Sequence, residues 1–489
     1  MIHIDWPHIN TIITPIYNTI FVVTAVFAII LVIQQKGEPQ KTISWILIII
    51  LFPIVGIILY FFFGKNHRKQ KIFSRKGLKD IEAMRSLNYT PRHEQEVFEA
   101  IRNPNIRSRQ HIMKLLSNNS KSVLTQFNKM KILNNGTETF DEIFKELDKA
   151  RDHIHLEYYV IEEDKIGNRI KEALIRKAKE GIKVRLIYDD VGSWELGKSF
   201  LNPLREAGVE VYPFLPVRFI RFASKINYRN HRKIIVIDGY TGFVGGLNIA
   251  DRYIEGMEEL GTWRDTMLKI EGEAVLSLQQ IFLSDWYFVS DQIIKEKIYF
   301  PACKISESRM VQITASGPDS DWASIMQVYF SAISTAKKHI YISTPYFIPN
   351  ESILTALKTA ALSGIDVRIM MPLRSDSYLV FRSTLSFVTE LLEAGIRVFM
   401  YKKGFNHSKL IMVDSTLCSI GTANMDIRSF DQNFEVTALI YDEETTVELE
   451  SHYLRDLKNS FEFTLDEWEK RHWMNKVKEN FARILSPLL

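Results

Sequence analysis

The sequence predicts an α/β protein of two duplicated lobes, each a β-sheet flanked by helices, behind an N-terminal two-helix membrane hairpin. Three observations predict it. The N-terminus holds two uncharged apolar runs, helix and strand patterns alternate from about residue 136, and the same pieces recur in the same order in the second half. A chain of 489 residues that is 46% hydrophobic and 25% charged is too long and too apolar for disorder or for a small disulfide-stapled scaffold. Its two cysteines, Cys303 and Cys418, have no CxxC or Cys/His spacing around them. That argues against a disulfide framework and a structural zinc site.

The hairpin comes first. Ile12 to Ile33 and Ile43 to Phe63 contain no charged residue and are joined by the polar segment Gln34 to Thr42. Each run is long enough to cross about 30 Å of hydrocarbon as a helix. A cleaved signal peptide would need a basic n-region and a small-residue cleavage site; this N-terminus has Asp5 and no Lys or Arg before the first run. Pro53 and Gly56 in the second run are tolerated in a membrane helix. Residues 1–64 are therefore expected to be a transmembrane anchor, with helices at about 12–33 and 43–63.

Residues 65–135 are expected to be a basic juxtamembrane linker. Between Lys65 and Lys131 there are sixteen Lys/Arg against five Asp/Glu, a local surplus of +11 in a chain of net charge +4, so the rest sums to −7. Such a stretch attracts polyanions, either nucleic acid or an anionic leaflet, and the preceding apolar runs favour the leaflet. Lys65, Arg68, Lys69, Lys71, Arg75, Lys76 and Lys79 follow the second run directly. By the positive-inside rule this places the large C-terminal part at the cytoplasmic side of the cell membrane.

The lobes are expected at 136–300 and 301–489, the second ending in a helical tail. Thr139 and Glu142 form a capping-box pattern ahead of a helix over Phe140 to Arg151, followed by a strand over His153 to Ile161. A helix over Arg169 to Glu180 stops at Gly181 before a strand over Ile182 to Tyr188. The segment Ala173 to Ile187 recurs as Ala356 to Met370. Ala150-Arg-Asp-His-Ile154 recurs as Ala336-Lys-Lys-His-Ile340, and Glu206-Ala-Gly-Val as Glu393-Ala-Gly-Ile. Duplicated lobes tend to pack about a pseudo-twofold axis, and a site built from both would lie on it.

Each half carries one copy of a motif that bears chemistry. Asn230-His231-Arg232-Lys233 leads through Ile234 to Ile237 into Asp238, with Asn248 beyond Gly245-Gly246; Asn406-His407-Ser408-Lys409 leads through Leu410 to Val413 into Asp414, with Asn424 beyond Gly421-Thr422. His, Lys, Asp and Asn fall at offsets 0, +2, +7 and +17 both times. Chance gives such a pair with odds below about one in 10⁵. The apolar runs read as strands, so each His and Lys project from one sheet face. Asp238 and Asp414 have the opposite parity and sit at strand ends, which makes them turn or framework residues. The small residues Gly245, Gly246 and Gly421 allow a returning strand to bring Asn248 and Asn424 close to an anion.

Two histidines, two lysines and two asparagines suit phosphate. The lysines and amides donate to nonbridging oxygens, while one imidazole attacks phosphorus and the other protonates the leaving alkoxide. No cluster at metal-ligand spacing accompanies them, and the lysines supply the charge a metal would bring, so neither metal nor cofactor is expected.

The paired motifs resemble the HKD signatures of the phospholipase D superfamily, and the whole chain resembles the bacterial cardiolipin synthases that carry two of them. The likeness extends to Trp45, Pro53, Gly56 and Phe63-Gly64, Tyr188-Asp-Asp-Val-Gly192, Trp263-Arg-Asp265, Gly317-Pro-Asp319, Thr344-Pro-Tyr-Phe347, Met425-Asp-Ile-Arg-Ser429 and Ser486-Pro-Leu-Leu489. The resemblance implies two phospholipase D-like lobes, each a mixed β-sheet flanked by helices. It implies a phosphatidyltransferase that moves a phosphatidyl group from one phosphatidylglycerol to another through a phosphohistidine, giving cardiolipin and glycerol. It favours His231 as nucleophile and His407 as general acid and then base. It also places Asp265 and Glu435 behind the histidines, without telling which serves which. Thr422 replaces the commoner Ser and keeps the hydroxyl, whereas the first lobe has Gly246 there.

The implied partners are phosphatidylglycerol, anionic membrane lipids and the membrane itself, with no nucleic acid. Another phosphatidyltransferase, or a hydrolase of the phospholipase D type, would use the same residues. A nuclease would have little use for two membrane runs, and a non-enzymatic anchor would be expected to show damaged motifs. Tyr253 and the aromatic segment Phe214 to Phe222 read equally as a lipid entrance or as packing. The stretch from Thr445, with Trp468 and Trp473, has a helical pattern that could reach the membrane interface.

Overall fold

Ile234–Ile237 and Leu410–Val413 are apolar at every position, the pattern of strands covered on both faces. They hold equivalent places in one 15-stranded sheet, each the fourth strand from the joint between the halves. Ile234 and Val236 share one core layer with Leu410 and Met412, while Ile235 and Ile237 face a layer of the first half and Ile411 and Val413 a layer of the second. The computed structural model describes residues 101–217 and 228–486, together with 39–52, 55–57, 97–98 and single positions at 22, 26, 29–30, 32–33 and 60.

The repeat in the sequence reappears as topology. In the first half His153–Tyr158 runs parallel to Lys183–Asp189, which runs parallel to Glu210–Phe214, and antiparallel to Ile234–Ile237. In the second, His339–Ser343, Asp366–Pro372, Arg397–Tyr401 and Leu410–Val413 pair in the same senses. Leu417–Gly421 and Glu435–Tyr441 repeat the places of Thr241–Gly245 and Thr266–Gly272. Each half is thus a mixed sheet. Gly181 at φ +90° and its counterpart Gly364 at φ +89° end equivalent helices, Lys165–Lys179 and Glu351–Leu362, in a conformation that a β-carbon would strain.

The halves are fused rather than merely packed. Leu124–Asn134 and Ser308–Ser316 pair antiparallel at the joint, with Leu124 opposite Gln312 and Thr125 opposite Val311. Leu124–Asn134 falls inside the stretch expected to be linker, and so does the helix Gln110–Asn119. Several of its basic residues serve the fold. Arg109 is buried and pairs with Asp414 at 2.5 Å, Lys129 pairs with Glu271 at 3.7 Å, and Lys131 pairs with Glu142 at 3.3 Å. The strand signal there is short, an alternation over Lys129-Met130-Lys131-Ile132 whose lysines belong to the basic run.

The expected capping box is not formed. The helix spans Asn135–Lys149 and starts a turn before Thr139, which lies buried within it. Glu138 accepts the Asn134 N–H at 2.9 Å instead, and Glu142 turns to Lys269 at 2.9 Å. Of the expected membrane runs, most of 12–33 and part of 43–63 lie outside the described residues. The described helix Pro39–Leu51 begins within the segment expected to join them. Among the described residues no helix is long and apolar enough to cross a membrane.

Candidate active site

Each His-x-Lys motif is a loop leading into a central strand, fixed from below by its asparagine. Asn230 Nδ2 donates to Glu157 Oε1 (2.5 Å) while its Oδ1 accepts the Arg232 N–H (3.0 Å). Asn406 does the same with Ser343 Oγ (2.8 Å) and the Ser408 N–H (3.3 Å). The loops are pinned across the joint. His231 N–H donates to Phe434 O at 2.9 Å and His407 N–H donates to Arg264 O at 2.7 Å.

The residue after each of those carbonyls carries a carboxylate. Glu435 Oε1 lies 3.2 Å from His231 Nδ1, and Asp265 Oδ2 lies 2.7 Å from His407 Nδ1. Each carboxylate serves the histidine of the opposite half, the assignment that sequence alone left open. An Nδ1–H held by a carboxylate leaves the lone pair on Nε2, the nitrogen free for phosphorus or a proton. The His231 and His407 side chains keep 17% and 11% exposure, so reagents can reach them, whereas Glu435 and Asp265 keep almost none.

Lys233 Nζ donates to its own motif's His231 O at 2.8 Å, and Lys409 Nζ donates to His407 O. Burial pushes Lys233 down to about 7 and Lys409 down to about 8, against the attraction of Glu435 and Asp265 that both feel. Lys409 also lowers Lys233, the repulsion of one buried cation by another. Burial likewise drives His231 and His407 down to about 4, in spite of the carboxylates beside them. Burial therefore favours neutral imidazoles, and an arriving phosphate anion would restore charge to the basic groups.

Asn248 is buried, its Oδ1 accepting the Val160 N–H at 3.1 Å and its Nδ2 donating to Tyr253 Oη at 2.5 Å. Asn424 is buried too, and its Oδ1 has no hydrogen-bond partner. Asp238 and Asp414 lie at the far ends of the strands, away from the histidines. Asp238 accepts the backbone N–H groups of Arg151, Asp152 and His153, each at 2.9 Å. Asp414 accepts those of Lys337, Lys338 and His339 at 2.9, 2.6 and 3.0 Å. Both sit at φ +54° and pin the start of the neighbouring strand, which is the framework reading.

The departure at Gly246 and Thr422 has a geometric meaning. Thr422 Oγ1 donates to Glu435 Oε2 at 2.5 Å. At the equivalent Gly246 a β-carbon would stand 2.1 Å from Asp265 Oδ1, so the first half has no room for the hydroxyl. The two carboxylates are therefore held differently. Sequence reasoning missed Tyr159, whose ring centroid is 4.2 Å from that of His231, and Phe405, which with Tyr253 and Trp263 forms a cage at 5.7, 5.8 and 5.7 Å from His407. It also missed Arg428, whose Nε is buried without a hydrogen-bond partner. The repeat offered a signal, since Arg428 follows Asn424 by the same interval as Arg252 follows Asn248, and Arg252 is paired with Glu162. Of the aromatic segment, Phe214 is core packed against Phe288 and Phe434, and 218–222 lie outside the described residues.

A family model described as "Cardiolipin synthase, PLD-like domain" matches residues 143–286 and 329–457, one motif in each segment. The chain belongs to this cardiolipin synthase family. A cardiolipin synthase from Halalkalibacterium halodurans is 46% identical over 478 residues, covering 97% of this chain and 94% of its own length. Cardiolipin synthase 2 of Bacillus anthracis is 44% identical, covering 96% of this chain and 91% of its own. A cardiolipin synthase from Listeria monocytogenes is 40% identical, covering 96% of this chain and 98% of its own. A second model, described as "Phospholipase_D-nuclease N-terminal", matches residues 23–65. Among solved structures, phosphatidylserine synthase of Haemophilus influenzae superposes with a TM-score of 0.57 at 15% identity, covering 78% of this chain and 98% of its own. At that identity the likeness speaks for the fold.

Proposed function

We propose that this member of the cardiolipin synthases is a phosphatidyltransferase that makes cardiolipin and glycerol from two phosphatidylglycerols, with His231 as nucleophile. The observation that carries the mechanism is the crossed pair of imidazole–carboxylate contacts beside two lysines. In the first step His231 Nε2 attacks phosphorus, the bond from phosphorus to the headgroup glycerol oxygen breaks, and His407, which takes up a proton on Nε2 as the anionic phosphodiester binds, gives that proton to the oxygen. In the second, a terminal hydroxyl of another phosphatidylglycerol loses its proton to His407 and attacks phosphorus, and the phosphorus–nitrogen bond breaks. Lys233, Lys409 and the amides of Asn248 and Asn424 are suited to hold the nonbridging oxygens throughout. Asp265 and Glu435 orient the rings, and Asp238 and Asp414 hold the strands that carry the loops.

The purified enzyme in phosphatidylglycerol vesicles tests this. Cardiolipin and glycerol in equal amounts are expected. Phosphatidic acid as the main product would make the enzyme a hydrolase, and a product formed only with another alcohol would make it a different transferase. Residues 12–33 and 43–63 would anchor the chain in the cell membrane, with the lobes on the cytoplasmic side. Protease added to intact cells should then leave the lobes whole, and digestion from outside would reverse the orientation.

A further inference from the structure

The C-terminal helix Trp473–Leu485 has one face committed to the body and one left to its surroundings. Glu479 and Ala482 are buried, and Arg471 grips Glu479 at 2.8 and 3.0 Å. Arg382, in the helix Tyr378–Leu385, donates to Asn475 Oδ1 at 3.3 Å. Just upstream, buried Trp468 donates from Nε1 to Thr389 Oγ1 at 3.0 Å, and Arg483 pairs with Glu390 at 2.5 Å. The helix is therefore held in a fixed rotation.

At 3.6 residues per turn, Trp473, Ile484, Val477, Phe481 and Met474 fall within one stripe about 100° wide on the side turned away from Glu479 and Ala482. They are 63, 75, 50, 63 and 40% exposed. Lys476 and Lys478, both exposed, border the stripe on either side. A row of tryptophan, phenylalanine and isoleucine facing water marks an interaction surface. The flanking lysines suit an anionic partner, whereas a second copy docked face to face would bring two lysine rows together.

The stripe is also close in the chain fold to the pocket. The helix Tyr378–Leu385, on which the C-terminal helix packs, starts at exposed Tyr378 directly after the Asp376 loop. The Asp376 carboxylate accepts the Tyr346 hydroxyl at 2.8 and 2.7 Å and acts on the charge of both His407 and Lys409. One short helix thus links the stripe to the pocket.

We propose that Trp473–Leu485 is an interfacial helix that lays this stripe into an anionic lipid surface and holds the pocket against the headgroups. The proposal rests on the reading that the substrates are bilayer lipids. It predicts two separable effects. In the full-length chain with Cys303→Ser and Cys418→Ala, an environment-sensitive fluorophore on Val477→Cys should be quenched by lipids brominated in their acyl chains, in vesicles of phosphatidylglycerol and phosphatidylcholine. The same label on Lys145→Cys should not be. The double variant Val477→Glu/Phe481→Glu, at positions open to solvent, should lose at least about fivefold of its rate on vesicles and keep its rate on short-chain phosphatidylglycerol in detergent micelles.

A label at position 477 that stays unquenched would overturn the proposal. So would self-quenching that grows with the protein-to-lipid ratio, which would mean that a second copy covers the stripe. An equal loss on vesicles and micelles would show that the helix supports the fold and not the interface. If the unsubstituted enzyme made no cardiolipin from the micellar substrate, the function would fail while the quenching result stood by itself.

Discussion

Glu435 Oε1 lies 3.2 Å from His231 Nδ1 although the two residues come from opposite halves of the duplication, and Asp265 answers it at 2.7 Å from His407. The exchange follows from the joint. Asp265 immediately precedes Thr266–Gly272 and Glu435 opens Glu435–Tyr441, the strands flanking the pair that fuses the halves. Neither motif histidine takes its carboxylate from its own half. The fused sheet therefore fixes the register of catalysis as well as that of the strands.

Asp265→Asn and Glu435→Gln keep the shape of each contact but no longer favour Nδ1–H. Loss of kcat by about 10²- to 10⁴-fold is expected, with little change in KM or in the thermal midpoint. Asp265→Asn should be the more severe, because its contact is shorter. Steady-state kinetics on mixed micelles check this, and a variant with ordinary kcat would remove its carboxylate from the mechanism.

The perturbed groups set the pH profile. His231 must be neutral to attack and His407 must carry a proton to act as acid, and burial has moved both to about 4, so kcat/KM should rise as His231 is freed through that region while His407 gains its proton only with the bound phosphate anion. Lys233 at about 7 and Lys409 at about 8 must be charged to bind phosphate, so kcat/KM should fall as pH passes through 7 to 8. Bound phosphate favours the charged lysines, and the alkaline limb of kcat should lie higher than that of kcat/KM. A kcat/KM flat beyond pH 9 would show that the lysines stay charged in the free enzyme.

Much of this was legible because period and spacing carry it. The strands Ile234–Ile237 and Leu410–Val413 fall where the apolar runs put them, and each motif's histidine meets a carboxylate of the other half. What escaped depends on the third dimension. The crossing of Asp265 and Glu435 is set by a strand pairing between Leu124–Asn134 and Ser308–Ser316, and no local pattern announces such a pairing. The Thr139 capping box is not formed because the helix begins at Asn135, which leaves Thr139 inside it and Glu142 free to pair with Lys269 and Lys131. Those lysines move Glu142 well down, to about 2, through its hydrogen bond with Lys269 first.

The framework aspartates should separate stability from chemistry. Asp238→Ala and Asp414→Ala each strand three backbone N–H donors, and Asp414→Ala also leaves buried Arg109 without its partner. Losses of about 2–4 kcal/mol are expected, larger for Asp414. The backbone donors lower the Asp414 carboxyl below its ordinary value against the effect of burial. Its contribution is therefore present above the unfolded carboxyl range and fades as pH falls through its folded value. Denaturant midpoints at neutral and acid pH measure both effects, and the Asp414→Ala deficit should shrink in acid. An unchanged midpoint with abolished turnover would instead make these aspartates direct participants in the reaction.

The near-symmetry of the site leaves one choice to chemistry, namely which imidazole bonds to phosphorus. Either histidine replaced by alanine should lose turnover by several orders of magnitude, since a step is removed rather than a contact weakened. The variants should differ in what accumulates. His407→Ala retains His231 with its Nδ1 held by Glu435, so with a phosphodiester whose leaving group needs no proton it should form an adduct that decays slowly for want of a base. His231→Ala should form none, because His407 in its aromatic cage is assigned only proton transfer. Mass spectrometry of peptides bearing an acid-labile, base-stable label reads the outcome. Label on His407 would exchange the two roles, and label on neither would end the covalent mechanism.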